Sequence, residues 1–406
     1  MLHRLKDFAL SFPRQFLYLI LGMLVSTMGV SMIWPFLTIY LRQRLGIPLS
    51  TVTALLTLDS IMSILSSFVA GPAADRFGRK GIMALSLGMM GITYVVMSRA
   101  VALPLFALLI ALRGAFTPLY RIGADAMIAD LIPTEKRADA YGLLRMMNNV
   151  GFAVGPTAGG FITSSSYTTA FLIAAGAMIV FSLFVSIGMV ETLPPEAKTA
   201  ASTPEKAGGY DRIFKDRFYL AFVGATTMTG MASSLIFVLL FVYAKENFGI
   251  PESRAGFLMA INALMVVFLQ VLIVQKTKHR PPLYVLAAGA LLYALGVGSI
   301  ALGKGMSAFA VSMVIVTLGE LIVVPTSTSL AASLAPVDMR GRYMSIYWLA
   351  WSISHGLGPV IGGLLNDHIA PQAIWIGGFV WGLLSVFVFL LLARRIHTRQ
   401  KATQAV

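Results

Sequence analysis

Asp59, Arg113 and Glu320 each stand inside a long run of apolar residues. Ionisable side chains in such surroundings are costly and mark functional positions by default. At about 1.5 Å of helix rise per residue, Asp59 and Arg113 lie roughly 12 and 15 Å from the outer ends of their runs. A carboxylate and a guanidinium at one depth can pair across two helices. Glu320 lies roughly 18 Å into its own run on the same scale, and the second half of the chain has no Lys or Arg inside its apolar runs. An unpaired buried carboxyl keeps its proton, because desolvation penalises the charged form. It releases that proton when water or a cation reaches it. Asp59 and Glu320 are therefore candidate proton carriers, with Arg113 as a coupling partner. No metal or cofactor is implied. The sequence has no cysteine, five scattered histidines, no H-E-x-x-H and no Walker loop, so the patterns of common metal and nucleotide sites are missing. An enzyme is not expected.

The elements that must hold these groups follow from composition. Of 406 residues, 57% are hydrophobic and 12% charged, and the mean hydropathy is +0.82. A water-soluble domain carries about 25% charged residues, so lipid is the expected solvent for most side chains. Twelve apolar runs are long enough to span, near 16–40, 51–74, 81–99, 103–128, 139–162, 169–190, 217–243, 254–275, 283–302, 308–332, 341–365 and 372–393. Continuous runs predict helices, since open strands cannot satisfy their backbone in lipid. An even number of spans puts both termini on one side. That side carries 22 of the 31 Lys and Arg, against 6 in the opposite loops. Basic loops stay cytoplasmic, which predicts a multi-pass cell-membrane protein with both termini inside. The formal charge of +14 is thus a topology signal and no sign of nucleic-acid binding. The first run is too long for a signal-peptide core and no cleavage is expected.

The longest polar stretch, 191–216, reads as a cytoplasmic linker between an N-terminal bundle (1–190) and a C-terminal bundle (217–406). Its centre falls near half of the chain length, which prompts a comparison at an offset of 203 residues. LIPTEKRADAYGLLRMMNNVGFAVGPTAGG (131–160) and LAPVDMRGRYMSIYWLAWSISHGLGPVIGG (334–363) then match without a gap at seven positions, ending in GP-x-x-GG in both. Gly151, Gly155 and Gly159 recur every four residues along one helix face, where they permit close backbone approach. With Pro156 and Gly160 they form the expected helix-packing motif. Two homologous six-helix bundles that face one another are one plan for carriers working by alternating access.

GPAADRFGRK, Gly71 to Lys80, together with GFAVGPTAGG at 151–160, resembles the loop and fifth-span signatures of the major facilitator superfamily, and fits its twelve-span drug:proton antiporter-like branch. The resemblance implies an all-α membrane protein with twelve transmembrane helices in two pseudo-symmetric six-helix bundles. It implies proton-driven export of small lipophilic molecules, with a small-molecule substrate, protons and the bilayer as partners, acting as a monomer. The family's span-four signature matches at Arg113 but has Thr117 where glycine is usual. Gly71, Asp75, Arg76, Gly78, Arg79 and Lys80, facing Asp125, Asp130 and Arg145, are read as a cytoplasmic latch. Since spans one, four, seven and ten line the cavity in this family, Trp34, Phe116 and Tyr120 are the expected substrate surface. Arg121 is added as a cavity candidate. The alternative is a facilitator or proton symporter for a nutrient, organic anion or lipid-like solute, in which Arg113 and Arg121 bind substrate charge. A non-transporting sensor or membrane enzyme is disfavoured for want of any nucleophile or metal cluster.

Overall fold

Each apolar run forms a helix. The computed structural model describes residues 12–133, 136–193, 210–336 and 339–404. The first run gives α1 (Arg14–Ile33), a 3-10 turn at Trp34–Phe36 and α2 (Leu37–Leu45). The break sits at Pro35, which has no N–H to donate to the preceding turn. There follow α3 (Leu49–Phe77), α4 (Arg79–Met97), α5 (Leu103–Leu131), α6 (Arg137–Ser165) and α7 (Tyr167–Gly188). A short helix, α8 (Tyr210–Lys215), leads into α9 (Arg217–Phe248), α10 (Glu252–Thr277), α11 (Pro282–Leu302), α12 (Met306–Leu334), α13 (Arg340–His368) and α14 (Ala373–Gln404). Among the described residues, ten spans are long and apolar enough to cross a bilayer by composition alone. The two others, α6 and α13, are 29 residues each. Their Asn, Ser, His and Gly residues dilute their hydropathy.

The helix boundaries display the repeat directly. Five pairs begin 203 residues apart: Arg14 and Arg217, Leu49 and Glu252, Arg79 and Pro282, Leu103 and Met306, Arg137 and Arg340. Local caps set several of these starts. The Asp216 carboxylate accepts the Tyr219 N–H at 3.0 Å to cap α9, and the Ser166 hydroxyl accepts the Thr169 N–H at 3.1 Å to cap α7. These contacts satisfy donors that a helix N-terminus leaves open.

The chain divides into two compact units, Met1–Leu45 with Leu58–Thr203, and Gly46–Thr57 with Pro204–Val406. Residues 46–57, which include the first turns of α3, thus group with the second unit. In the first unit, Phe16, Leu19, Met83, Leu87, Tyr120, Met127 and Ile128 form a buried cluster. In the second, Trp375 is fully buried and meets Tyr243 edge-on at 5.1 Å between ring centroids. In lipid, helices gain little from hydrophobic transfer and associate through close packing and hydrogen bonds. The same bond closes both units. Ser31 Oγ donates to the Gly151 carbonyl at 3.1 Å, joining α1 to α6. Ser234 Oγ donates to the Ser354 carbonyl at 3.2 Å, joining α9 to α13. Both partners are shifted by 203 residues.

Candidate functional site

The first polar site ties α3 to α5. Asp59 and Arg113 are both buried, with Arg113 Nη2 2.7 Å from Asp59 Oδ2. The helices meet closely here because residue 114 is glycine: a Cβ would lie 2.3 Å from the Asp59 carbonyl oxygen. The Arg113 guanidinium stacks over the Trp34 ring at 4.2 Å, a cation–π contact that gains strength when shielded from water. The 3-10 turn at Pro35 delivers Trp34 to this position. The buried Tyr94 side chain of α4 also interacts with Arg113. Two atoms of the pair, Asp59 Oδ1 and Arg113 Nε, lack a hydrogen-bond partner. Buried polar atoms are nearly always satisfied, so an acceptor (Asp59 Oδ1) and a donor (Arg113 Nε) stand open at this crossing.

The second polar site ties α10 to α12. Asn262 Nδ2 donates to Glu320 Oε2 at 2.6 Å and lies 3.0 Å from Thr317 Oγ1. Tyr293 of α11, which bonds Ser233 at 3.4 Å, sits next to Glu320. No Lys, Arg or His among the described residues lies within 4.0 Å of the Glu320 carboxyl, which is only part-buried. Asn262 is 203 residues from Asp59, so the two sites occupy equivalent helix crossings. Sequence reasoning found Glu320 and missed Asn262. Applying the offset to Asp59 reveals it.

The expected latch residues gather around the start of α4. Arg79 Nε is 3.4 Å from Asp130 Oδ2. Gly78 has φ of +90°, a conformation suited to glycine, and a Cβ there would fall 2.2 Å from Glu191 Oε2. The Glu191 carboxylate accepts the Arg79 and Lys80 N–H groups at 3.0 and 3.1 Å. Glu191 was assigned to the linker by sequence, yet it caps α4. The signal was a helix starting directly after a glycine with no acceptor of its own. Arg76 stacks on Phe77 at 5.6 Å. Gly71 lies in α3 beside open space, and the Asp75 side chain lies outside the described ones. Arg121 lies near Asp125 without an ion pair within 4.0 Å, and Arg145 is exposed. The structure therefore brings together Arg79, Asp130 and Glu191, and leaves Arg145 apart from them.

The packing glycines face α1: a Cβ on Gly151, Gly155 or Gly159 would meet Thr27, Ser31 or Met32 at 2.8, 1.9 and 2.2 Å. Pro156 and Gly160 lie in the same helix, α6. Of the expected substrate surface, Trp34 is engaged with Arg113 and Phe116 is half-buried. Tyr120 is instead packed in the first unit's core, 4% exposed, with its hydroxyl 3.4 Å from the Leu19 carbonyl. It offers no face to a ligand in this arrangement. Among the described residues, no group of three or more His, Asp or Glu is placed to hold a metal ion.

Outside the spans, Asp367 at the end of α13 caps α3. Its carboxylate accepts the Ser50 N–H at 2.7 Å and the Leu49 N–H at 3.3 Å. Partial burial raises its pKa, but these bonds and those from the Ser50 and Asn366 side chains prevail and hold it below the usual carboxylate range.

Comparison with known proteins places this architecture. The chain is 27% identical to a Na(+), Li(+), K(+)/H(+) antiporter of Planococcus maritimus, over 92% of this chain and 94% of that protein. It is 23% identical to the multidrug resistance protein MdtH of Escherichia coli, over 95% of both. Among solved structures, the nucleoside transporter NupG superposes with a TM-score of 0.80 at 14% identity, covering 93% of this chain and 99% of the other. A peptide transporter, POT, in complex with alafosfalin superposes with a TM-score of 0.77 at 18% identity and 95% coverage of both. The sequence model of the Major Facilitator Superfamily matches residues 19–359, and the chain belongs to that family of membrane transporters.

Proposed function

We propose that this protein is a proton-coupled antiporter that exports small lipophilic compounds by alternating access. One observation carries the reading: Glu320, part-buried at the α10–α12 crossing, is bonded by the neutral Asn262 amide, and no Lys, Arg or His among the described residues lies within 4.0 Å of it. A charge in such surroundings is costly unless compensated. The acid therefore binds a proton in the closed site and gives it up when water or a substrate enters. Asp59 supports the same role from the other crossing. Its free Oδ1 takes the proton, which weakens the hold on Arg113 and leaves the guanidinium to the Trp34 face. The relative named as a cation/H(+) antiporter supports exchange against protons, and the one named as a multidrug resistance protein supports a drug-like cargo. The chain in the cell membrane with both termini cytoplasmic fits the charge asymmetry of the loops. An anion-binding role for Arg113, which the symporter alternative needs, is disfavoured because Asp59 already neutralises it.

The test is transport in proteoliposomes with an imposed pH gradient and a panel of lipophilic cationic dyes. Dye accumulation driven by the gradient, lost in Glu320→Gln, supports antiport. Flux that ignores the gradient, unchanged in both Glu320→Gln and Asp59→Asn, overturns it. A second reading, exchange of alkali cations for protons, is favoured by the Glu320 carboxylate oxygens, which have no Lys, Arg or His within 4.0 Å among the described residues, and by the antiporter relative. Hard monovalent cations prefer such oxygen donors, and replacing the dye by Na⁺ in the same vesicles separates the two.

A further inference from the structure

A cavity of about 240 Å³ lies in the second unit where α10 ends, α11 begins and α12 passes. Lys278, Arg280, Thr326, Ser329 and Ser333 line it. It is smaller than the ~300–1,000 Å³ of drug-sized sites, and it takes a small polar group. Lys278 and Arg280 are exposed and make no ion pair within 4.0 Å among the described residues. The Thr326 and Ser329 hydroxyls make no hydrogen bond among the described residues. The start of α11 at Pro282 adds the positive end of a helix.

The repeat shows what this cavity lacks. At the equivalent corner of the first unit, Asp130 neutralises Arg79 and Glu191 caps α4. At an offset of 203, Asp130 corresponds to Ser333 and Glu191 to Arg394. At the same offset Lys278 and Arg280 stand where the first unit has Asp75 and Phe77, so the second corner has two cations there and neither Asp130's nor Glu191's acid. One face of α10 leads to it: Leu264, Phe268 and Val271, at spacings of four and three, are exposed by 52%, 70% and 63%, and the same face ends on Lys278. An apolar stripe ending at uncompensated cations matches an acyl chain beneath a charged headgroup.

We infer that this cavity binds the phosphate of an anionic lipid headgroup, held by Lys278 and Arg280 and by the hydroxyls of α12. Basic pockets between membrane helices recognise such headgroups, and Arg engages phosphate through paired donors. The site is independent of what the protein transports.

The test is native mass spectrometry of the full chain, delipidated in detergent and titrated with phosphatidylglycerol, with phosphatidylcholine or with inorganic phosphate. Wild-type protein retains phosphatidylglycerol in preference to phosphatidylcholine. Lys278→Ala with Arg280→Ala lowers that retention about 25-fold, each cation near the surface being worth about fivefold. Ser333→Asp, which restores an acid where the first unit has one, lowers it while leaving both cations and the fold in place. Lys215→Ala with Arg217→Ala removes equal charge elsewhere and leaves retention unchanged. Binding of inorganic phosphate with the same mutational pattern, without preference for the lipid, keeps the phosphate site and rejects the lipid as its source. Equal retention in wild type, Ser333→Asp and the Lys278/Arg280 variant, or equal loss in the Lys215/Arg217 control, overturns the inference.

Discussion

The α3–α5 and α10–α12 crossings occupy equivalent places in the two units, yet they accommodate an acid between apolar helices differently. In the first, Asp59 meets Arg113 directly, and the charge is cancelled within the protein. In the second, Asn262 stands at Asp59's place and Glu320 is left with a neutral amide. The first carboxyl has its counter-charge at 2.7 Å within the protein. The second has none within 4.0 Å among the described residues and is bonded by an amide instead. Divergence at equivalent positions leaves an ion pair in one unit and an acid–amide pair in the other.

The largest break in this comparison is Arg113→Ala. It strands Asp59 without its counter-charge, and loss of one partner from a buried pair costs about 3–5 kcal/mol. Thermal unfolding in detergent should show that loss, with partial recovery in the Arg113→Ala, Asp59→Ala double variant. Gly114→Ala comes next. The added methyl meets the Asp59 backbone rather than a flexible side chain, and overpacking of this kind costs about 1–3 kcal/mol. The equivalent position in the second unit is Thr317, so the crossing there already holds a buried side chain.

A smaller effect contrasts the helix starts. Asp367 caps α3 from outside, whereas α10 begins with its own Glu252, which pairs with Lys245. Removing a cap costs about 1 kcal/mol; Asn keeps one of the two acceptor oxygens, so Asp367→Asn loses part of that and lowers the melting temperature modestly. Because the folded-state pKa of Asp367 is lowered, its contribution is complete above the unfolded value of about 3.9 and is lost as pH falls below that through the folded value. A pH series of wild type and Asp367→Asn should converge at the acid end. Smallest in stability is Glu320→Gln, expected within about 0.5 kcal/mol, since the amide keeps a group at the Asn262 bond. Unfolding measured beside gradient-driven transport would then separate a coupling loss from a folding loss.

The partnership of Asp59 and Arg113 was readable because charge and depth are both written in the sequence. Asn262 was not, because an uncharged amide in an apolar run carries no such mark. The spans were readable from apolarity, and the repeat from GP-x-x-GG in register. The neighbour met at each level was not. Arg113 and Tyr120, seven residues and about two turns apart, share one side of α5, and nothing local announces that the first meets Asp59 of α3 while the second packs into the core against Leu19 of α1. Glu191 escaped notice because its role is to reach back to α4, a contact fixed by where the sixth span ends.

The interruption at Pro35 has one more implication. Its counterpart in α9 is Val238, and that helix runs unbroken from Arg217 to Phe248. The proline has already removed one intrahelical hydrogen bond, so bending at this point sacrifices none that a continuous helix would have to give up. The first span thus owns a ready-made elbow beside Trp34, and its twin is a stiff rod.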